Sequence, residues 1–199
     1  MMPDFDTRDP TQPKFWSDRF EQQFMPWDRG GVPQALKDFE ARAGRSYTTL
    51  IPGCGTGHEV AFLSEAGWDI TAIDFSPAAV AAARANLGPW ADRVLEADFF
   101  EFSPSKPIDL IYERAFLCAL PRAMWPRIAQ RWAELLPPGG LLAGFFFLGA
   151  TPKGPPFGIE RTELEQLLVP DFELVEDAAV SDSIALFEGR ERWQVWRRR

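Results

Sequence analysis

The sequence predicts an α/β fold, a doubly wound and mainly parallel sheet, on three observations. Short apolar runs alternate with amphipathic stretches from Tyr47 onward, the first run ends in a glycine-rich turn that opens a helix, and acids close the next two runs. With 199 residues, 46% hydrophobic and 25% charged, the chain suits one domain, residues 1–199, able to bury roughly 70% of its unfolded surface.

The elements follow in order. Phe15, Trp16, Phe20 and Phe24 recur at helical spacing, which predicts a short amphipathic helix in an N-terminal extension over residues 1–31. Pro26 and the Gly30-Gly31 pair make Met25–Gly31 a loop, and the α/β core, residues 32–199, begins with a helix over Val32–Ala43. Tyr47–Ile51 is a strand that ends in Pro52-Gly53-Cys54-Gly55-Thr56-Gly57, and His58–Ala66 is a helix closed by Gly67. A second strand spans Asp69–Ile73 and stops at Asp74, where Ser76 and Pro77 supply an N-cap and a first-turn proline for an Ala-rich helix. Strands are further expected over Arg93–Ala97, Ile108–Tyr112 and Leu141–Leu148, with helices over Ala123–Leu136 and Thr162–Leu168. Phe172–Val175 and Arg192–Trp196 complete a seven-stranded sheet as an antiparallel pair at one edge.

In such a sheet ligands bind beyond the carboxyl ends of the strands. The positions to read are therefore the glycine turn, Asp74, Asp98, and Glu113 with Arg114. Gly53, Gly55 and Gly57 form G-x-G-x-G, and His58 stands where a dinucleotide fingerprint needs another glycine. That disfavours NAD and favours S-adenosylmethionine (SAM), which lacks a pyrophosphate and needs close backbone approach, although a tight strand-to-helix turn would look the same. Asp74, about 20 residues after the turn begins, suits the two ribose hydroxyls. Asp98 could accept from the adenine amino group while Phe99 packs on the ring. A helix N-terminal acid and a solvated turn acid are the plainer readings of these two carboxylates. Trp16, Phe20, Phe24 and Trp27 are too many for a solvated arm and suit a lid over the site or a cover for one end of the sheet.

Several motifs in order resemble the thiopurine S-methyltransferase superfamily, and its thiol and halide methyltransferase branch most. They are Phe24-Met25-Pro26-Trp27-Asp28-Arg29-Gly30, Ile51-Pro52-Gly53-Cys54-Gly55-Thr56-Gly57-His58, Asp98-Phe99-Phe100, Phe116-Leu117-Cys118-Ala119-Leu120, Gly154-Pro155-Pro156-Phe157 and Leu167-Leu168-Val169-Pro170. The resemblance implies a class I SAM-dependent methyltransferase, Rossmann-like, with a seven-stranded sheet and an N-terminal helical lid. By motif position it places Trp16, Phe20, Trp27, Gly53, Asp74, Asp98, Phe99 and Arg114 at the cofactor, beside the backbone of Gly55 in the same turn. Trp27, Phe116 and Phe157 are expected at the acceptor, and Arg114 and Trp27 closest to the chemistry. The branches disagree here. Arg114 matches the thiopurine enzymes, whereas Pro26-Trp27-Asp28 matches the thiol and halide enzymes.

Methyl transfer to a thiol, hydrosulfide, halide or thiopurine needs positioning more than a base, which fits a chain with a single histidine, His58, read as structural. Arg114 is expected to meet an anionic acceptor or the cofactor carboxylate, or else to pair at the surface with Glu113. Arg190, Arg192 and Trp193 lie in a terminal segment from which one side chain could reach the acceptor. The alternatives are a small-molecule O- or N-methyltransferase and a SAM-binding module without chemistry.

Net charge −8 argues against nucleic acid as partner. The longest apolar run, Leu141–Ala150, is about half a membrane span. Two cysteines and a polar N-terminus point to a cytoplasmic protein, expected as a monomer acting on a small-molecule acceptor.

Overall fold

The computed structural model describes residues 5–199. One seven-stranded sheet organises the chain, with strands β1 (Thr48–Pro52), β2 (Asp69–Asp74), β3 (Val94–Glu96), β4 (Leu110–Arg114), β5 (Leu141–Phe147), β6 (Phe172–Ala179) and β7 (Glu191–Arg198). Their spatial order is β3-β2-β1-β4-β5-β7-β6. The first five pair in parallel, and β7 runs antiparallel to both β5 and β6. The sheet is thus mixed. The two closing strands do pair with each other, as expected, but β7 is inserted beside β5 and leaves β6 at the edge.

Helices α1 (Pro13–Glu21), α2 (Gln34–Arg42), α3 (His58–Glu65), α4 (Pro77–Leu87), α5 (Trp125–Leu135) and α6 (Arg161–Leu168) complete the architecture. The period-two pattern of the strands divides the core between two faces. Ile51, Leu110, Tyr112, Ala143, Phe145 and Trp193 pack under α2, α3 and α4, through side chains such as Leu36, Phe39, Val60 and Val80. Ile111, Leu142, Phe146 and Trp196 face the other way, against Ile128 and Trp132 of α5 and Leu164 and Leu168 of α6. Near-continuous apolar strands follow from being covered on both faces. Among the described residues no helix is long and apolar enough to cross a membrane.

Two local features set up the site. Ser76 caps α4, its Oγ accepting from the Ala79 amide at 3.2 Å, with Pro77 at the first helical position. α1 ends at Glu21, so Phe24 is not on the helix but in the loop after it, beyond a reversal at Gln23 where φ is 53°. β4 also runs two residues further than its apolar pattern suggests. Glu113 and Arg114 belong to the strand and are held by pairing with Gly144 and Phe145 of β5.

Candidate active site

A cavity of about 600 Å³ lies over the carboxyl ends of β1, β2, β3 and β4 and beneath α1 with the loop that follows it. Its floor is the glycine turn. Gly53 has φ +62°, and a Cβ there would stand 2.9 Å from the Phe116 ring, so only glycine allows both the turn and the ring. Gly55 and Gly57 share the left-handed conformation, and Gly57 opens α3.

Asp74, the last residue of β2, is 8% exposed. Its Oδ1 accepts from the Ser76 amide at 2.9 Å and its Oδ2 from the Gly55 amide at 3.4 Å. Burial pushes its carboxyl up to about 6, against the pull of these amides. Asp98 lies two residues beyond β3, exposed at the rim, and its Oδ1 accepts from the Phe100 amide at 2.7 Å. Phe99 is buried behind it, edge-on to Phe116 at 4.9 Å between ring centroids. The strand-end carboxylates and these rings therefore line one continuous cavity.

Arg114 is pinned rather than free. Its Nη1 donates to Glu191 Oε1 at 2.9 Å, its guanidinium lies 4.4 Å from the Phe145 ring, and Ser183 Oγ donates to the other Glu191 oxygen at 2.7 Å. The surface pair with Glu113 does not form. Glu113 Oε1 instead accepts from the amides of Phe116 and Leu117, both at 2.9 Å, and burial pushes that carboxyl up to about 7. Arg114 lines the cavity, and its Nη2 is a buried donor with no partner among the described residues. A guanidinium nitrogen left so is costly unless an anion meets it.

The cavity roof is aromatic. Trp16 stands edge-on to Trp27 at 5.4 Å, and Phe20 lies 6.2 Å from Trp27. Two tethers hold these rings. Ser17 of α1 and Ser76 share a hydroxyl hydrogen bond of 2.9 Å. Asp28 accepts from Thr56 Oγ1 at 2.7 Å and lies 3.3 Å from His58 Nε2, which fastens the Trp27 loop to the glycine turn. His58, read from the sequence as structural, also lines the cavity.

Trp27, Ala115, Cys118 and Phe187 pack together, and Pro155 and Pro156 also line the cavity wall. Phe157 does not join that wall. Its amide donates to the Cys118 carbonyl at 2.7 Å and its ring covers Gly154, so the side chain faces a separate small void beside Glu113. Arg190, Arg192 and Trp193 also stay away from the cavity. Arg190 holds the carbonyls of Leu148 and Gly149, Arg192 pairs with Asp177 at 2.7 Å, and Trp193 is core. Phe187, from the loop between β6 and β7, and Glu59, from the first turn of α3, line the cavity without having been singled out in the sequence. Phe187 has no motif to mark it, whereas Glu59 stands only two residues beyond the last glycine of the turn. Cys54 and Cys118 are free thiols pushed up by burial, and neither is a nucleophile near neutral pH.

The profile of the family described as thiopurine S-methyltransferase matches residues 11–199. Relatives include a probable thiol methyltransferase 2 of Arabidopsis thaliana, 28% identical over 92% of this chain and 84% of that protein. A thiopurine S-methyltransferase of Vibrio cholerae is 27% identical over 79% of this chain and 81% of its own length. Among solved structures, a 1,6-didemethyltoxoflavin-N1-methyltransferase of Burkholderia thailandensis, with bound 1,6-didemethyltoxoflavin and S-adenosylhomocysteine, aligns with a TM-score of 0.76. It is 19% identical and covers 98% of this chain and 93% of that one, a likeness of fold.

Proposed function

The chain belongs to the thiopurine S-methyltransferase family and is a SAM-dependent methyltransferase, and from that premise we propose that it methylates a small thiol or a related soft nucleophile. The supporting observation is the apolar end of the cavity. Trp27, Ala115, Cys118 and Phe187 pack together there. A soft, weakly hydrated nucleophile loses least on entering such surroundings, and it needs no base to give up a proton.

SAM supplies a methyl group already activated by a positive sulfur, so the protein's task is to bind, orient and exclude water. In this reading Asp74 accepts from the ribose hydroxyls, Asp98 meets the adenine amino group, and Phe99 with Phe116 forms the apolar wall for the base. Gly53 and Gly55 let the backbone approach closely. Arg114 offers its unpartnered Nη2 to the cofactor carboxylate. Trp16, Phe20 and Trp27 act as a lid that presents aromatic faces to a cation, an attraction of about 0.5–2 kcal/mol.

The test is S-adenosylhomocysteine (SAH) release from SAM across hydrosulfide, aliphatic and aromatic thiols, a thiopurine, iodide and a catechol. Thiol-dependent turnover is the expected result. Turnover with the catechol alone would move the reading to oxygen acceptors. SAM binding in calorimetry without turnover on any of them would favour a binding module. Trp27→Ala is expected to lower kcat about tenfold while changing SAM affinity less, because the ring shields the reacting methyl more than it holds the nucleoside. A kcat equal to wild type would leave Trp27 as cover for the sheet.

A further inference from the structure

We propose that Glu59 receives the α-ammonium group of SAM, opposite Arg114, which takes the carboxylate. The amino acid end of the cofactor carries two opposite charges on one carbon, and a buried site that holds it needs an opposed pair of its own. The structure offers one such pair beside the glycine turn. β1 and β4 are neighbours with Leu50 opposite Ile111, a register that brings Arg114 alongside Gly53 just past the end of β1. Arg114 supplies the cation, and its Nη2 is unpartnered.

The matching anion is found by elimination among the four carboxylates that line the cavity, Asp28, Glu59, Asp74 and Asp98. Asp28 is engaged by Thr56, by the Gly30 amide at 2.7 Å and by His58. Asp74 belongs to the end of β2 and is tied to Ser76 and Gly55. Asp98 lies beyond β3, with β2 and β1 standing between it and the strand that carries Arg114. Glu59 remains, in the first turn of α3 directly after the glycine turn. Among the described residues its one side-chain donor is the Tyr112 hydroxyl, at a long 3.4 Å. β1 brings no acid of its own, since it ends Leu50-Ile51-Pro52.

The electrostatics agree with the geometry. Burial pushes the Glu59 carboxyl up and the charge of Arg114 draws it back, so the ionised form sits in an incompletely compensated field. An ammonium group at that spot restores the balance. An acid placed only to meet the helix dipole would serve as well on the outer face of the turn, in water.

The inference rests on SAM as the methyl donor and is independent of the acceptor. Calorimetry on the full chain tests it with three ligands: SAH, its analogue without the α-amino group, and 5′-methylthioadenosine, which lacks the amino acid end. Glu59→Gln is expected to weaken SAH about 10- to 100-fold, the worth of a buried charge-assisted hydrogen bond. The same variant should bind the other two ligands within about twofold of wild type, as expected for a residue that does not touch them. Glu59→Asp, which keeps the charge on a shorter stem, should show a smaller loss confined to SAH and keeps the test available should the glutamine variant not fold. Equal losses for SAH and the deaminated analogue would show that Glu59 acts through α3 or Arg114 and would overturn the proposal. Unchanged SAH affinity would also overturn it, leaving the ammonium to backbone carbonyls. Failure of the wild-type chain to bind SAH would overturn the cofactor assignments with it, whereas wild-type binding without discrimination at Glu59 overturns this proposal alone.

Discussion

Arg114→Met is expected to weaken SAH binding about 10- to 100-fold, because it removes the unpartnered charged donor of a residue that lines the cavity. It should also lower stability by about 3–5 kcal/mol, a large part of the margin of a domain this size, since Glu191 would be left buried with only Ser183 as donor. The two losses separate in a double variant. Arg114→Met with Glu191→Leu removes both charges, and denaturant unfolding should show most of the stability restored. SAH affinity should stay at the level of the single variant, because Glu191 positions the guanidinium and offers nothing to the ligand directly. Titration with SAH alone also decides what Arg114 holds. If affinity for SAH is retained and only the KM for the acceptor rises, the guanidinium faces the acceptor and not the cofactor carboxylate.

Arg114 also shows where sequence reading stops. Its place at the end of a strand is legible because the apolar run before it and the crossover rules put every strand end on one edge of the sheet. Its partner is not, since Glu191 lies 77 residues away and reaches it only because β7 enters beside β5. Nothing local in Glu191–Arg198 distinguishes an inserted strand from an edge strand. The end of β4 is obscured for a related reason: Glu113 and Arg114 look like loop residues, yet both are held in the strand by the pairing with Gly144 and Phe145, which buries Glu113. Gly144 can be nothing larger there, as a Cβ would run into the Glu113 carbonyl. Local turn chemistry, by contrast, reads directly. Gly53, Gly55 and Gly57 adopt the positive φ that glycine permits, and Ser76-Pro77 starts α4 as its N-cap and first-turn proline. Phe157 marks the opposite limit. The Gly-Pro-Pro-Phe motif announces a shaped loop, but which of its side chains faces the cavity depends on the Cys118 carbonyl that the Phe157 amide finds. The prolines line the wall and the ring turns inward.

Asp74→Asn is expected to weaken SAM and SAH binding at least about tenfold, and the pH dependence of both stability and binding should change with it. The buried carboxyl is pushed up to about 6, above its value in an unfolded chain of about 4. A raised value in the fold means that the native state holds the proton more tightly than the unfolded one. The stabilisation is therefore fully present below about pH 4 and is lost as pH rises through about 6, an effect on the order of 3 kcal/mol for this group alone. Glu113, pushed up to about 7, adds to the same trend over a slightly higher window. The ligand-free protein should accordingly melt at lower temperature at pH 8 than at pH 5, and Asp74→Asn should flatten part of that slope while leaving the part that belongs to Glu113. Ligand reverses the preference. Two ribose hydroxyls donating to an ionised Asp74 offset its burial, so wild-type affinity should fall as pH drops below about 6, approaching tenfold per unit, and the asparagine variant should lack that dependence. Melting curves from pH 5 to pH 8 with and without SAH measure both effects in one experiment. Parallel curves for the two proteins, or equal SAH affinities, would remove Asp74 from the ribose site and return it to service as a turn acid bonded to Ser76 and Gly55.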